Sequence, residues 1–364
     1  MRVLIATAWF PTEEHPGTGI FHLRDAELLA QDHDVTILHL GAASDGEEVI
    51  GGMPVIRRAF GPASPGSYVR GPRVVRELLA ERDLLHTMSF PTLLPLTLSR
   101  PQRPWVHTEH WTGLVWPPAS LPARWGAAAT RRLLRRPDEV VAVGDDLAKA
   151  VESVRGAPVA RIPNFVRFAH PDRLPPVHRA GEPLRLIGVS GLQPHKGALI
   201  AVDALAVLRD RGVDARLRWA GEGAQREELL DRAEEIGVAD RLQLLGHVDP
   251  EELPELLLAS HLFVAPTRFE TFGVAIAEAL SHGLPVVATG EGGHWAFLPP
   301  EASRRAERSP DGLADGIESL LGDVERWPAA RIRADAEARF APAARRAAYA
   351  EAYRRAGEAH HRRG

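Results

Sequence analysis

Short runs of consecutive apolar residues alternate along this chain with longer segments in which apolar positions recur at helical spacing. The runs predict strands buried on both faces, and the segments between them predict helices that cover a sheet. In the first half, the predicted strands are Arg2–Ala8, Asp34–Leu40, Met53–Ile56, Leu84–Thr87, Trp105–Thr108, Glu139–Val143 and Val159–Ile162. The helices predicted between them include Phe21–Gln31, Pro72–Arg82 and Pro122–Arg135. This alternation indicates an α/β fold with a parallel sheet.

A proline-rich stretch without periodicity, Phe168–Pro183, interrupts the pattern, which then restarts. The later predicted strands are Leu184–Ser190, Arg216–Ala220, Leu242–Leu245, Leu262–Ala265 and Pro285–Ala288. The later predicted helices are Gly197–Arg211, Ala224–Ile236, Pro250–Ser260 and Phe272–His282. We therefore predict a first domain over residues 1–167, a linker over 168–183 and a second domain over 184–340. Two such sheets would face a central cleft, and a helix over 341–364 would lie back on the first domain.

Composition narrows the class of protein. The chain has 364 residues, 45% hydrophobic and 25% charged, which fits a globular protein of about two domains. The net charge of −4 argues against general nucleic-acid binding, and the lack of cysteine excludes disulfides and thiolate metal sites. No apolar stretch reaches the roughly 18 residues of a membrane span. Met1–Phe10 fits a buried strand better than a signal peptide, so we expect a cytoplasmic protein.

The strongest chemical signal is the segment Ala265–Gly293, in which Glu270 and Glu278 are separated by seven residues. Phe272 and Gly273 begin the predicted helix, so Glu270 precedes its N-terminus and Glu278 lies about two turns further on. A phosphate or sugar hydroxyl at that helix end would meet free backbone N–H groups and a positive dipole. Two solvated glutamates on a surface helix are the alternative interpretation.

This segment resembles the signature of the retaining nucleotide-sugar glycosyltransferases of family 4, P-S-x-x-E-x-F-G-x-x-x-x-E-A. Here it reads Pro266-Thr-Arg-Phe-Glu270-Thr-Phe-Gly-Val-Ala-Ile-Ala-Glu278-Ala. The resemblance extends over nearly the whole chain. It implies the GT-B fold, with two Rossmann-like domains facing a cleft. It also implies that Glu270 contacts the donor sugar and that Glu278 contacts the nucleotide ribose.

Lys196, one of only two lysines in the chain, follows a predicted strand and opens a helix. A cation at a helix start is unfavourable unless an anion lies between the cation and the helix. The resemblance implies that Lys196 binds the donor diphosphate. The family usually has an arginine five residues before this lysine, whereas this chain has Gly191. We expect either a substitute cation, for which Arg268 is the candidate, or weak donor binding.

Two more candidates lie in the first domain. Gly17, Thr18 and Gly19 follow the first strand in a loop that resembles the family's phosphate-closing loop, with Gly19 at the matching position. His110 follows the fifth predicted strand, where the family places a histidine near the reacting sugar. A plain turn and a structural core histidine are the respective alternatives. His86 resembles another family position, for which we expect a structural role.

Metal and membrane signals are weak. The triplet Asp32–Asp34 is formally D-x-D, but it lies at a helix-to-strand turn, so we expect neither a metal nor another cofactor requirement. Leu121–Arg136 carries five arginines and no acidic residue, so it could contact anionic lipid at the inner face of a membrane. A solvated helix is the alternative. The sequence does not indicate an oligomeric state.

We therefore predict a retaining glycosyltransferase that moves a sugar from a nucleotide-diphosphate donor to an acceptor hydroxyl. Cell-envelope polysaccharide or glycolipid is the first acceptor class, and a secondary metabolite is the next. One alternative is a sugar-nucleotide epimerase or hydrolase, for which Glu109 is the nearest proton-transfer candidate. Another is a donor-binding protein with little turnover, suggested by Gly191.

Overall fold

The computed structural model describes residues 1–60, 66–116, 130–170, 172–323 and 328–363. Its tertiary contacts divide the chain into two compact units. The first unit comprises Met1–Phe165 together with Pro342–Gly364, and the second comprises Val166–Ala341. Each unit has its own hydrophobic core, so the two are described separately.

The elements are numbered in chain order. The strands are β1 (Arg2–Thr7), β2 (Asp34–Ala42), β3 (Gly46–Ile50), β4 (Met53–Ala59), β5 (Leu84–Met88), β6 (Trp105–Glu109), β7 (Glu139–Ala142), β8 (Ala160–Arg161), β9 (Leu184–Val189), β10 (Ala215–Ala220), β11 (Leu242–Gly246), β12 (Leu262–Ala265), β13 (Phe269–Glu270), β14 (Val286–Ala288), β15 (Glu291–Gly292) and β16 (Ser303–Arg305). The α-helices are α1 (Ile20–Ala30), α2 (Ser67–Leu79), α3 (Asp145–Arg155), α4 (Ala198–Asp210), α5 (Arg226–Glu235), α6 (Leu253–Leu258), α7 (Val274–Ser281), α8 (Pro310–Leu321), α9 (Ala329–Phe340) and α10 (Pro342–Arg363).

The sheet of the first unit has the strand order β3-β4-β2-β1-β5-β6-β7-β8. Its neighbouring strands are parallel, apart from the antiparallel pair of β3 with β4 at one edge. Every residue of β5 and of β6 is buried. Helices cover both faces of such a sheet, so its central strands have no solvent-facing side. In β1 this gives the apolar run Val3-Leu-Ile-Ala, whereas β5 and β6 also bury histidine and threonine side chains.

The C-terminal helix α10 belongs to the first unit, where it packs against β6 and β7. Tyr349 and Tyr353 are buried on this helix, and the Tyr353 hydroxyl lies 2.9 Å from His86 Nδ1. Arg345 donates from Nη2 to the buried Asp25 Oδ2 at 2.6 Å. These contacts fix the chain end onto the first unit although it follows the second unit in sequence.

The second unit contains a six-stranded parallel sheet of order β11-β10-β9-β12-β14-β16 and a separate two-stranded parallel sheet, β13-β15. Its core includes Leu186, Trp219 and Val264 from the large sheet and Leu205 from α4. The small sheet joins the segment after β12 to the segment after β14, and it carries Glu270.

Several helix starts differ from the sequence prediction; the helix expected from Pro250, for example, begins at Leu253. The helix expected from Pro72 begins at Ser67 and includes Pro72 in its interior. The helix expected from Phe272 begins at Val274, because Gly273 adopts a left-handed conformation, φ +88°, and forms the N-cap. Residues 168–170 and 172–183 form no helix or strand, and they cluster with the second unit.

The arginine-rich segment Leu121–Arg136 lies mostly outside the described residues. Its described end forms a 3₁₀-helix over Arg132–Arg135. Within the described ranges, no helix combines the length and the apolar character needed to cross a membrane.

Candidate functional site

The loop between β9 and α4 carries Lys196 and is fixed against the segment that follows β12. Gly197 caps α4 with φ +77°. A Cβ atom at this position would lie 2.1 Å from the Pro266 carbonyl oxygen, so only glycine permits this approach. The Arg268 backbone N–H donates to the His195 carbonyl oxygen at 2.7 Å. The two loops are therefore held together by main-chain contacts.

Two residues selected from the sequence meet at this junction. Lys196 Nζ donates to Glu270 Oε1 at 2.6 Å. Their side chains are 23% and 19% exposed, so water can still reach the pair. Glu270 is thus the anion that accompanies the lysine at the start of α4. A diphosphate that entered here would compete with Glu270 for the ammonium group.

A loop that contains Gly290 and Gly292 packs against the backbone on either side of Glu270. Glu270 pairs with Gly292 in the small parallel sheet β13-β15. A Cβ atom on Gly292 would lie 1.9 Å from the Glu270 carbonyl oxygen, and one on Gly290 would lie 2.4 Å from the Arg268 carbonyl oxygen. These glycines let two backbones run in direct contact, which sets the position of the Glu270 side chain.

The N-terminus of α7 follows Glu270 by four residues. Gly273 is its N-cap, and no side chain caps the helix. The Phe272 ring packs on Phe297 and Phe340 at centroid distances of 4.9 and 5.8 Å, so only its main chain can serve a ligand. Glu278 lies further along α7 and is 5% exposed.

Positive groups gather around the same loops. Arg308 donates from Nη2 to the Pro194 carbonyl oxygen at 2.9 Å and from Nε to the Pro266 carbonyl oxygen at 3.2 Å. Burial lowers the pKa of Arg308, and the positive charge of Arg268 lowers it further. Burial also lowers the pKa of His195, with Lys196 as the next cause. Glu270 therefore lies near the positive charges of Lys196, Arg268 and Arg308, whereas His195 favours its neutral form.

His294 lies buried behind the helix start. A Cβ atom on Gly273 would be 3.3 Å from His294 Cβ. Neither ring nitrogen of His294 meets hydrogen-bond geometry with a described protein atom. Burial lowers the pKa of His294 to about 4, against the opposing effect of Glu270. The ring is therefore neutral at neutral pH, and it lies close enough to Glu270 for the carboxylate charge to affect its pKa.

The other two candidates, Gly19 and His110, lie in the first unit. Gly19 is the left-handed N-cap of α1, and a Cβ atom there would lie 2.3 Å from the Trp9 carbonyl oxygen. His110 directly follows β6 and packs on His22 at a centroid distance of 4.8 Å. Both ring nitrogens of His110 lack a hydrogen-bond partner among the described residues. Burial holds the pKa of His110 well below its usual value, so it is a neutral ring that can donate one hydrogen bond and accept another.

The neighbouring polar residues of β5 and β6 have structural partners. Glu109 Oε1 accepts hydrogen bonds from the backbone N–H groups of Phe90, His110 and Trp111 at 3.1, 2.9 and 2.7 Å. His86 bonds Tyr353 and Thr108, and burial lowers its pKa to about 3. A carboxylate with three fixed donors is poorly suited to proton transfer, so Glu109 does not favour the epimerase alternative.

Three neighbours of the Lys196–Glu270 pair were not selected from the sequence: His195, His294 and Arg308. Arg308 is over 100 residues from Lys196 and is one of many arginines, so nothing in the sequence distinguishes it. His294 could have been noticed because it directly follows the glycine pair Gly292-Gly293. In the part of the chain that the structure describes, no group of three or more His, Cys, Asp or Glu side chains is placed to hold a metal ion.

Two family models match this chain. The model of Glycosyltransferase Family 4 matches residues 26–169, and the model of Glycosyl transferases group 1 matches residues 183–323. The chain belongs to the family 4, group 1 glycosyltransferases, and it is a glycosyltransferase with the GT-B fold.

Curated and solved relatives agree with this assignment. The chain is 27% identical over 368 residues to the glycogen synthase of Mycobacterium tuberculosis, covering 89% of this chain and 86% of that protein. It resembles the solved sucrose-phosphate synthase of Thermosynechococcus elongatus with a TM-score of 0.77 and 22% identity over 97% and 98% of the two chains. It also resembles HepE of Anabaena, solved with UDP and glucose, with a TM-score of 0.78 and 20% identity over 96% and 98%.

Proposed function

We propose that the second unit binds a nucleoside-diphosphate sugar and that the enzyme transfers the sugar to an acceptor hydroxyl with retention of configuration. The observation that carries the proposal is the position of the Lys196–Glu270 pair beside the N-terminus of α7, which no side chain caps. A diphosphate accepts hydrogen bonds from an ammonium group and from free backbone N–H groups. A carboxylate next to it can accept hydrogen bonds from sugar hydroxyls.

The proposed roles follow from that chemistry. Lys196 and the start of α7 stabilise the negative charge that develops on the leaving diphosphate. Glu270 orients the donor sugar, and Glu278 accepts hydrogen bonds from the ribose hydroxyls. For the first unit we propose the roles that the family resemblance implies: Gly19 at the donor phosphate and His110 at the reacting sugar. Two solved structures of one relative, HepE of Anabaena, contain UDP and UDP-glucose, which supports a nucleotide-sugar donor.

Arg268 and Arg308 offer the positive charge that the missing arginine at Gly191 would supply. Arg268 lies close enough to Arg308 to lower its pKa, and Arg308 bonds the carbonyl groups of both loops. A Cβ atom at Gly191 would meet nothing closer than 3.4 Å, so the position has room for a side chain. We propose that Arg268 helps to bind the diphosphate. Arg268→Ala should weaken binding of a nucleoside diphosphate, and Gly191→Arg should restore part of it.

A thermal-shift screen with UDP, GDP, ADP and dTDP sugars identifies the donor. The decisive variant is Glu278→Gln, which keeps the volume of the buried side chain but removes its charge. We expect nucleotide affinity to fall by about 1–3 kcal/mol, because the ribose hydroxyls lose a charged acceptor. Glu227→Gln, at an exposed position of α5, is the matched control. Unchanged affinity in Glu278→Gln would contradict the proposed donor site.

Incubation with donor alone, and then with an acceptor panel, separates the reaction types. A transferase needs the acceptor to form a new glycoside, whereas an epimerase or hydrolase changes the donor by itself. We propose cell-envelope polysaccharide or glycolipid as the first acceptor class to test, and secondary metabolites as the next. The anomeric configuration of the product decides between retention and inversion. An inverted product would refute the retaining mechanism but not the donor site.

A further inference from the structure

A cavity of about 670 Å³ lies in the first unit between α2 and the loop over residues 98–103. Its apolar lining includes Pro72, Val75 and Leu79 on one face of α2. These positions recur at helical spacing, and all three side chains are buried, so they form the floor of the cavity and not an exposed apolar surface. None of the residues selected from the sequence for donor binding lines it.

Arginines surround this cavity. Arg76, Arg100 and Arg103 line it, all three are exposed, and none forms an ion pair with a described residue. Arg73, only one turn away on α2, instead pairs with Glu77 at 2.8 Å. The charge on the cavity side of α2 is therefore uncompensated, while the charge on the neighbouring face is neutralised.

A fourth arginine, Arg136, adds positive charge next to the loop that forms the cavity. Arg136 donates hydrogen bonds to the carbonyl oxygens of Leu96, Thr97 and Ser99, at the start of the loop that forms the cavity. Burial lowers the pKa of Arg136, and the positive charge of Arg100 lowers it further. The two guanidinium groups repel each other, and a bound anion would relieve that repulsion.

Exposed apolar side chains accompany the arginines. Leu98 lines the cavity and is 65% exposed. Val69, one turn before Pro72 on α2, is 66% exposed. A small soluble phosphate compound would be recognised by the arginines alone and would gain nothing from Leu98 and Val69. An amphiphile whose anionic headgroup adjoins an apolar region matches both features.

We propose that this face of the first unit docks on a bilayer that contains acidic phospholipid, with a headgroup phosphate among Arg76, Arg100 and Arg103. Leu98 and Val69 then contact the apolar side of the interface. The whole chain has a net charge of −4, so attraction to an acidic surface must come from a local patch such as this one. The proposal is independent of the donor site, and its test needs no nucleotide sugar.

Co-sedimentation with vesicles tests the proposal. We expect the protein to bind vesicles of phosphatidylcholine with about 30 mol% phosphatidylglycerol, to bind pure phosphatidylcholine weakly, and to be released by raised salt. Each of Arg76→Gln, Arg100→Gln and Arg103→Gln should weaken partitioning about fivefold, since one basic residue near an acidic surface contributes about 1 kcal/mol. Leu98→Ser should also weaken it.

Matched controls remove the same groups elsewhere in the first unit. Arg73→Gln removes one charge from the paired face of α2, and Val49→Ser removes an apolar side chain that is 70% exposed on β3. Both should bind acidic vesicles as the unmodified protein does. Equal loss in Arg73→Gln and Arg76→Gln would overturn the cavity as the site, and so would equal binding to neutral and acidic vesicles. Stabilisation by inorganic phosphate, lost in Arg76→Gln, without vesicle binding would assign the cavity to a soluble anion instead.

Discussion

Lys196 is the residue whose removal best separates binding from folding. Its pair with Glu270 is part-exposed, and such pairs contribute about 0–1 kcal/mol to stability. Its charge-assisted hydrogen bond to a diphosphate would be worth about 1.5–3 kcal/mol. Lys196→Ala should therefore weaken nucleoside diphosphate binding about 10- to 150-fold, measured by isothermal titration, while the unfolding midpoint in urea changes little.

The chain contains its own control for this prediction. Lys149, the other lysine, is 71% exposed and lies 3.9 Å from Asp146 on α3 of the first unit. Lys149→Ala should leave nucleotide binding unchanged. Glu270→Gln should even strengthen binding of the free nucleotide, because it removes the anion that competes for Lys196, while it lowers sugar transfer. If Lys196→Ala binds nucleotide as tightly as Lys149→Ala does, the diphosphate contact is wrong.

At the scale of elements, the two-residue sheet β13-β15 fixes the position of Glu270. Gly292 lies against the Glu270 backbone, where a Cβ atom would be 1.9 Å from the carbonyl oxygen. Gly292→Ala should therefore shift Glu270, lowering kcat by roughly tenfold or more and costing on the order of 1–3 kcal/mol of stability. Transfer assays and urea unfolding measure the two effects.

Gly212→Ala separates steric clash from backbone strain. Gly212 also has a positive φ, +83°, but a Cβ atom added there would have no neighbour within 4 Å. This variant should cost only the strain of that conformation, on the order of 1 kcal/mol, and leave kcat unchanged. If both variants keep full kcat, close contact with Gly292 does not position Glu270.

Sequence patterns find some elements and miss others for physical reasons. The strand β1 is buried from Val3 onwards and contains the apolar run Val3-Leu-Ile-Ala, so its pattern is plain. The strands β5 and β6 are entirely buried, but their apolar runs are short because each strand carries a histidine and a threonine. The edge strand β3 has the sequence Gly46-Glu-Glu-Val-Ile and is largely exposed, so it shows no such run. The sheet β13-β15 has two residues per strand, too few for any periodicity. Proline favours the first turn of a helix and so predicts a start at Pro72, although α2 begins earlier and includes it.

At the scale of the whole molecule, the family and the GT-B fold followed from one spaced motif and the strand–helix alternation, and both are confirmed. The motif brought out Glu270, and the position between a strand and a helix, together with the family resemblance, brought out Lys196. The structure joins the two side chains in an ion pair. Arg308 could not be found in this way because its position depends on the tertiary fold, which brings the chain just before α8 beside both loops. The same holds for Arg345, whose pairing with Asp25 connects positions 320 residues apart.

Buried neutral histidines in both units should make stability depend on pH. Burial lowers the pKa of His22 and His39 to about 4 and of His86 to about 3 in the first unit. It lowers the pKa of His261 and His294 to about 4 in the second. An unfolded histidine takes up its proton near pH 6.5. As the pH falls from about 6.5 towards 4, the unfolded state therefore binds more protons than the folded state, and stability is lost.

Each such histidine contributes a slope of up to about 1.4 kcal/mol per pH unit within that window and nothing above about pH 7. The free energy of unfolding in urea, measured from about pH 7.5 to 5, should therefore fall as the pH falls.

His261→Gln keeps an acceptor for the Arg185 backbone N–H, which donates to His261 Nδ1 at 3.0 Å, but the glutamine cannot be protonated. The carboxylates are the same in this variant and in the unmodified protein, so their contribution cancels when the two are compared. The free energy of unfolding of the variant should depend less steeply on pH, by the uptake of up to one proton. His15→Gln, at an exposed position, should keep the full slope. Parallel slopes for all three proteins would mean that His261 takes up its proton in the folded state as readily as in the unfolded chain.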